Sequence, residues 1–526
     1  MFTNDNYVYG NENILVPAHL NFGKFMLNKL KLKDNQTALE NGETGEKLTY
    51  KEFTQYAVNL SASLTKLGVG KGDTVAVGSE ARNEFVPTAL AIVFTGATYT
   101  PYDLKSGRAA LKHKLNIAKP NYFICSNTFW TMYRDILKTF EFIHKLFTLD
   151  DAVDDVVSIK SLILSDVDVN RFEPAPVLGQ TDTAFILYSS GTTGMPKGVQ
   201  LTHLNCILNS LPDDFSDDSY KTAFLFGEWY HNYDTFMTYK FLANGRKIVY
   251  VNEATPQRFL KSIEDCHINI AFIVPSLLGY LSKDENANKY NTESLVTIYS
   301  RSSPLHVKTI ETVKARFPKL KNILQGYGMT EAGELTSESW GTKGTKAGSV
   351  GMASPAITLK VVDPESRKIL GPNERGEICL RGPVFMKGYV GVDPSIYLDE
   401  EGFFKTGDLG YYDEDKYFYI VDRIKEIIVY NGWKVAPLEL ETILLLHPGV
   451  REVGVVGKPV SDFGEEPTAF VVKEAGSNVT DIELIDHVAA EVPPYMQLRG
   501  GVHFIEKLPR NPRGKILRHE LRNMLN

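Results

Sequence analysis

The chain predicts an α/β fold, and three observations predict it. Short apolar, β-branched runs alternate with helical patterns along most of its length, the pattern of mostly parallel sheets. Hydrophobic residues make up 43% and charged residues 23% of the sequence, an ordinary globular balance that excludes bulk disorder and fibrous structure. The 526 residues, at roughly 150 per domain, leave room for about three or four units, each with its own core.

In chain order, Thr74 to Val77 (TVAV) reads as a strand and Phe85 to Phe94 as a buried apolar helix. Tyr122 to Cys125 is a further strand. The stretch from Asp150 to Thr183 is acidic, lacks periodicity and carries Pro174 and Pro176, so it reads as a surface connection. Ala184 to Leu187 is an apolar strand. Lys247 to Val251 and Ile270 to Val274 are strands on either side of a helical pattern from Pro256 to Glu264. Glycine and threonine in Gly341-Thr-Lys-Gly-Thr-Lys-Ala-Gly348 favour a mobile loop.

The last hundred residues read as a separate unit. Pro437 suits the first turn of a helix whose apolar positions are Leu438, Ile443, Leu444 and Leu445. Strands at Val453 to Val456 and Ala469 to Val472 follow, then a helix from Ile482 to Glu491, a strand at Val502 to Ile505 and a helix from Ile516. The charged stretch Asp422 to Lys425, between two apolar runs, is suited to act as a hinge. The expected division is 1–421, hinge 422–425 and 426–526.

Charge and cysteine usage narrow the class. Lys plus Arg total 57 against 64 Asp plus Glu, a net charge of −7, so no face-sized excess of positive charge is available for nucleic acid. The four cysteines, Cys125, Cys206, Cys266 and Cys379, lie far apart and suit a reducing compartment better than a disulfide framework or zinc site. With no visible secretory signal, no apolar run of about 18 residues and no terminal Ser-Lys-Leu, the expected location is the cytoplasm. Nothing in the sequence fixes the oligomeric state.

The most informative stretch is Tyr188-Ser-Ser-Gly-Thr-Thr-Gly-Met-Pro-Lys-Gly198. It follows a strand, and its Ser189, Ser190, Gly191, Thr192, Thr193, Gly194 and Lys197 make an anion-binding loop. Glycines let the backbone approach phosphates, hydroxyls and N–H groups donate to their oxygens, and the lysine adds a point charge. Counted from Gly191, the Walker A spacing fails at Pro196 and again at Gly198, which disfavours a kinase or P-loop ATPase. The bland alternative is a Gly/Thr surface loop.

With this loop the chain resembles the adenylate-forming superfamily of acyl-CoA synthetases, peptide-synthetase adenylation domains and beetle luciferases. Five motifs in order carry the resemblance. After the loop come Gln325-Gly326-Tyr327-Gly328-Met329-Thr330-Glu331, similar to the adenine and magnesium motif, and Thr406-Gly-Asp408, similar to the ribose motif. Asp422-Arg423-Ile-Lys425 resembles the hinge and Asn511-Pro-Arg-Gly-Lys515 the catalytic-lysine loop. Arg375-Gly-Glu-Ile-Cys-Leu-Arg-Gly382 and Tyr389 place the chain nearest the luciferase and 4-coumarate–CoA ligase branch. The resemblance implies a large N-terminal domain of mixed, mostly parallel sheets with a β-barrel-like subdomain, and a small mobile α+β C-terminal domain.

It also implies a reaction and its residues. A carboxylate attacks the α-phosphorus of ATP, an acyl-adenylate forms and pyrophosphate leaves. Lys515 would bridge the carboxylate and α-phosphate, Glu331 beside Thr330 would hold Mg²⁺ against the phosphates, and Tyr327, flanked by Gly326 and Gly328, would pack on adenine. Asp408 would accept from both ribose hydroxyls and Arg423 would contact ribose or phosphate. His231, in Glu228-Trp-Tyr-His231-Asn-Tyr-Asp, resembles the histidine near the acyl carboxylate. After rotation about the hinge, Gly432 would line a tunnel for CoA; a simple turn glycine is almost as good a reading.

The chain departs from the family at the acid pocket. Arg301-Ser302-Ser303-Pro304-Leu305 stands where Gly-Gly-Ala-Pro-Leu is usual, a strip that contacts adenine through its backbone, and Glu334 replaces a small residue. With Trp229 and Tyr233, Arg301 and Glu334 make the expected acid pocket. Pointing inward they favour a polar, aromatic or anionic acid; alternatively they pair with each other or face water. Val429 stands where beetle luciferases tend to carry lysine. The implied function is an acid–CoA ligase, using ATP, Mg²⁺ and CoA. The alternative is a luciferase that oxidises the adenylate of an unusual luciferin with O₂. A carrier-protein-loading module and a catalytically dead binding protein remain as readings of other classes.

Overall fold

In a computed structural model, all residues are described except 1–5, 11–13, 164–165, 190–194, 212–219, 254, 284, 302–304, 306, 318, 339–344, 461–463, 512–513 and 526. Alternating strands and helices build two large sheets whose central strands are parallel. One has the order 388–389, 197–202, 183–189, 98–102, 74–78, 122–125, 145–148, 157–158; the other runs 352–353, 333–337, 322–329, 297–300, 270–273, 222–225, 247–250, 37–41, 47–49. In each, the strands after the parallel core turn back as antiparallel pairs, 183–189 with 197–202 and 322–329 with 333–337. Those reversals carry the phosphate loop and the magnesium motif.

The apolar helix forms over Phe85–Phe94 and is buried on every side, as its composition, apolar but for Thr88, requires. The connection from Asp150 to Thr183 contributes more than a surface run: Val157–Ser158 adds an edge strand and Ile159 enters the core. The barrel-like subdomain is a five-stranded antiparallel sheet in the order 8–9, 358–362, 376–381, 404–412, 418–423. Residues 341–344 of the expected loop from Gly341 to Gly348 lie outside the described residues.

The small C-terminal unit has its own sheet and apolar cluster, with Ile428, Leu440, Val455, Val471 and Leu484 at its centre. Its helix Asp481–Ala489 starts at a capping box, Thr480 with Glu483. All four cysteines are buried, and burial raises every thiol, Cys125 and Cys379 to about 12 and Cys266 to about 11. Among the described residues no helix is long and apolar enough to cross a membrane.

Candidate active site

A cavity of about 1270 Å³ opens where parallel strands of the second sheet end, the usual place for ligands in such sheets. Strand Thr297–Ser300 delivers Arg301, and strand Asn322–Met329 leads into Thr330 and Glu331. The first sheet contributes Ser189 and Lys197 from either side of the phosphate loop. Strand Thr183–Ser189 is held there by Tyr188, whose Oη lies 2.9 Å from Tyr102 Oη and accepts from Thr100 Oγ1 at 3.0 Å.

Glu331 is buried at the cavity wall, and Tyr389 Oη donates to its Oε1 at 2.6 Å. Lys197 Nζ lies 5.0 Å from the same tyrosine ring, a cation–π contact. Tyr389 thus ties the lysine after the phosphate loop to the carboxylate of the magnesium motif. A single buried carboxylate facing a space for phosphates suits Mg²⁺, which takes one or two carboxylates plus substrate oxygens. Among the described residues no group of three or more His, Cys, Asp or Glu side chains forms a preassembled metal cage. Thr330 is fixed by its carbonyl, which accepts from Asn232 Nδ2 at 2.9 Å.

The ribose motif sits on strand Phe404–Tyr412. Thr406 Oγ1 donates to the Ile378 carbonyl at 2.6 Å and accepts from Asp408 N–H at 3.0 Å, while Gly407, at φ +70°, donates its N–H to Glu377 at 3.0 Å. Asp408 is thereby presented to two partners: Tyr327 Oη donates to Oδ2 at 2.5 Å, and Arg423 Nε lies 2.8 Å from Oδ1. Burial raises the Asp408 pKa, while Arg423, Tyr327 and Lys515 oppose that rise. Burial also pushes the Tyr327 phenol well up.

Lys515 reaches the cavity from the C-terminal unit. Its turn is closed on Asn511, which accepts the Lys515 N–H on Oδ1 at 3.0 Å and donates its own N–H to the Lys515 carbonyl at 2.9 Å; Gly514 supplies the positive φ. Asp422, at the expected hinge, accepts from Leu438 N–H at 3.0 Å and from Arg423 N–H at 2.7 Å. Lys425 lies 4.0 Å from Glu426, and burial lowers its pKa.

Arg301 and Glu334 both line the cavity and form an ion pair with each other, so two of the alternatives hold together. The Arg301 guanidinium lies between the rings of Tyr233 at 4.8 Å and Tyr299 at 4.6 Å, and Nη2 donates to Tyr299 Oη at 3.1 Å. Tyr233 lines the cavity from helix Asn232–Ala243.

Other expected residues are placed differently. Trp229 does not line this cavity: its indole packs in the core on Phe85 and Tyr250 and donates to Thr238 Oγ1 at 2.9 Å. His231 precedes the first turn of helix Asn232–Ala243 with its ring against Tyr230, and is not among the residues lining the cavity. Gly432 is at a hairpin tip and is not among the residues lining the cavity; its φ is +79°, after Asn431 at φ +47°. Ser190, Gly191, Thr192, Thr193, Gly194, Ser302, Ser303 and Pro304 lie outside the described residues. Sequence reasoning assigned no role to Tyr389, Asn232 or Lys240. Lys240 lines the cavity seven positions after Tyr233, and that helical spacing was the available signal.

Comparison with known proteins shows the family. Residues 28–390 match the model of the AMP-binding enzymes and residues 439–515 that of the AMP-binding enzyme C-terminal domain. The chain is 36% identical over 505 residues to a luciferin 4-monooxygenase of Nipponoluciola cruciata, covering 93% of this chain and 91% of the relative. It is 33% identical over 525 residues to 4-coumarate–CoA ligase 3 of Arabidopsis thaliana, covering 97% and 92%. The crystal structure of ATP-bound MatB from Rhodopseudomonas palustris superposes with a TM-score of 0.85 at 27% identity, over 96% of this chain and 98% of that one. With both family models matched in order and the nucleotide motifs gathered at one cavity, the chain belongs to the AMP-binding, adenylate-forming enzymes.

Proposed function

We propose that the protein adenylates a carboxylic acid with ATP, releases pyrophosphate and then passes the acyl group to CoA. The observation that carries this reading is the convergence on one cavity of Lys197, Glu331, Arg423 and Lys515, drawn from both large sheets, the barrel-like subdomain and the C-terminal unit. The acid's carboxylate oxygen forms a bond to the α-phosphorus while the bond from that phosphorus to the bridging oxygen breaks, and pyrophosphate leaves with that electron pair. The attacking carboxylate needs no base, so catalysis is positioning and charge stabilisation. Lys515 stands to stabilise the α-phosphoryl oxygens. Asp408 and Arg423 hold the ribose, Tyr327 the adenine, and Lys197 with the phosphate loop the leaving pyrophosphate. Mg²⁺, when bound at Glu331, neutralises phosphate charge. Rotation of 426–526 about 422–425 then withdraws Lys515 and admits the thiol.

A second reading is favoured by the relatives that are luciferin 4-monooxygenases, at 33–36% identity. In it the adenylate of a luciferin is oxidised by O₂ with emission of light; Val429 separates this chain from the beetle pattern there. Acid-dependent ATP–pyrophosphate exchange over fatty acids, aromatic acids and beetle luciferin tests the first step. CoA-thioester formation without light supports the ligase; ATP-dependent light without thioester supports the luciferase. Absence of exchange with every acid, natural extracts included, would overturn both.

A further inference from the structure

We propose that the Arg301–Glu334 pair is the specificity determinant of the acid pocket. It selects an aromatic acid whose far end carries a group that donates and accepts a hydrogen bond at once, and it rejects plain alkyl acids and diacids. The proposal rests on the adenylating reading above. Arg301 is only 8% exposed yet faces the cavity, and it is fixed on several sides by Tyr233, Tyr299 and Glu334. A Cβ at Gly326 would stand 2.7 Å from Tyr299 Oη and 3.1 Å from Arg301 Nε, so the strand leading to Tyr327 leaves room for this arrangement only as glycine. The guanidinium fork is therefore held in place before a ligand arrives, and little freedom is lost on binding.

Each class of acid meets this wall differently. An alkyl chain strips water from two charges and returns no hydrogen bond. The second carboxylate of a diacid meets Arg301 but is repelled by Glu334, which already neutralises it. A hydroxyl on a ring satisfies both partners: its O–H donates to the Glu334 carboxylate and its oxygen accepts from the guanidinium. The ring itself packs against Tyr233, and Phe236 and Met237, three and four positions on, extend the same face of the helix.

Three acids of similar length test the proposal in ATP–pyrophosphate exchange: 4-hydroxycinnamate, 4-carboxycinnamate and nonanoate. The wild type is expected to favour the hydroxyaryl acid over each of the others by at least about 100-fold in kcat/KM, since a site built to hydrogen-bond a hydroxyl rejects analogues lacking it. Glu334→Gln should move the ratio toward the diacid by about 10-fold or more, because one repelling charge is gone. Arg301→Met with Glu334→Leu should move it toward nonanoate by a similar factor. Wild-type use of nonanoate within about 10-fold of 4-hydroxycinnamate overturns the proposal whether or not the variants fold, as do folded variants with unchanged ratios. Thermal shifts by the same acids in the presence of ATP rank binding without turnover. The expected ranking without any exchange would sink the adenylating reading and leave the pocket assignment standing.

Discussion

Asp408 meets two opposed demands: burial favours its neutral form, while the proposed ribose recognition needs its charge. Its folded pKa lies above the ordinary 3.8, so ionised Asp408 is present above that raised value and is lost as pH falls through it. The KM for ATP should therefore climb on acidification at a higher pH than an exposed aspartate would dictate. Asp408→Asn should raise that KM about 10-fold or more and flatten the acid limb, measured as pyrophosphate exchange against pH. Lys515→Ala should slow exchange by at least about 100-fold while leaving thioester formation from preformed acyl-adenylate less affected; an unchanged exchange rate removes Lys515 from its role. Asp234 offers a stability test. Burial, then Glu228, raises it from 3.8 to about 7, and it accepts the Glu228 N–H at 2.9 Å. The native state holds its proton across that window and the unfolded chain does not, so stability falls as pH rises from about 4 to about 7 and levels beyond. Asp234→Asn should melt with a shallower pH dependence over that range. At this scale the sequence was readable where a motif leads straight out of a strand: Thr330 and Glu331 follow strand Asn322–Met329 onto the cavity wall. It misled at Trp229, because proximity to the pocket helix in sequence does not fix the direction of a side chain that precedes its first turn.

Among the elements, helix Pro437–Leu446 begins where its proline suits the first turn, and helix Phe85–Phe94 matches its apolar run at both ends. Two-residue strands such as Met352–Ala353 and Gly388–Tyr389 carry no periodicity and were invisible beforehand; Gly388–Tyr389 pairs with Gln200 and Val199, far away in sequence. Tyr389's hold on Glu331 was hidden for the same reason. The hairpin of Ile428–Tyr430 and Trp433–Val435 turns through Asn431 and Gly432, both left-handed, as a two-residue turn demands. Gly432→Ala should cost about 1 kcal/mol in denaturant melts with exchange retained. Loss of thioester formation alone in Gly432→Leu would assign Gly432 to the CoA path as well.

Across the whole molecule, the C-terminal unit meets the larger one through exposed ion pairs, Arg375–Glu439 and Lys434–Glu365, each at 2.8 Å. Contacts of this kind contribute under about 1 kcal/mol and fade with salt, which suits the proposed rotation of that unit. The tighter pairs stay inside it: Arg518 forks onto Glu441, and Arg522 pairs with Glu426 beside the hinge. Arg375→Glu should lower exchange by only about 2–5-fold, with the loss shrinking as ionic strength rises. The two-unit plan was legible because apolar runs stop at a charged stretch; the angle between the units was not, since weak surface pairs leave no pattern in a sequence.

The four sealed thiols have a practical consequence. Maleimide dyes attack thiolates that solvent can reach, and burial denies the native cysteines both properties. New cysteines at Leu178 and Ile482, each 66% exposed and one on each unit, would then take a donor and an acceptor dye against a silent background. Energy transfer between them would time the swing of the small unit during a single turnover.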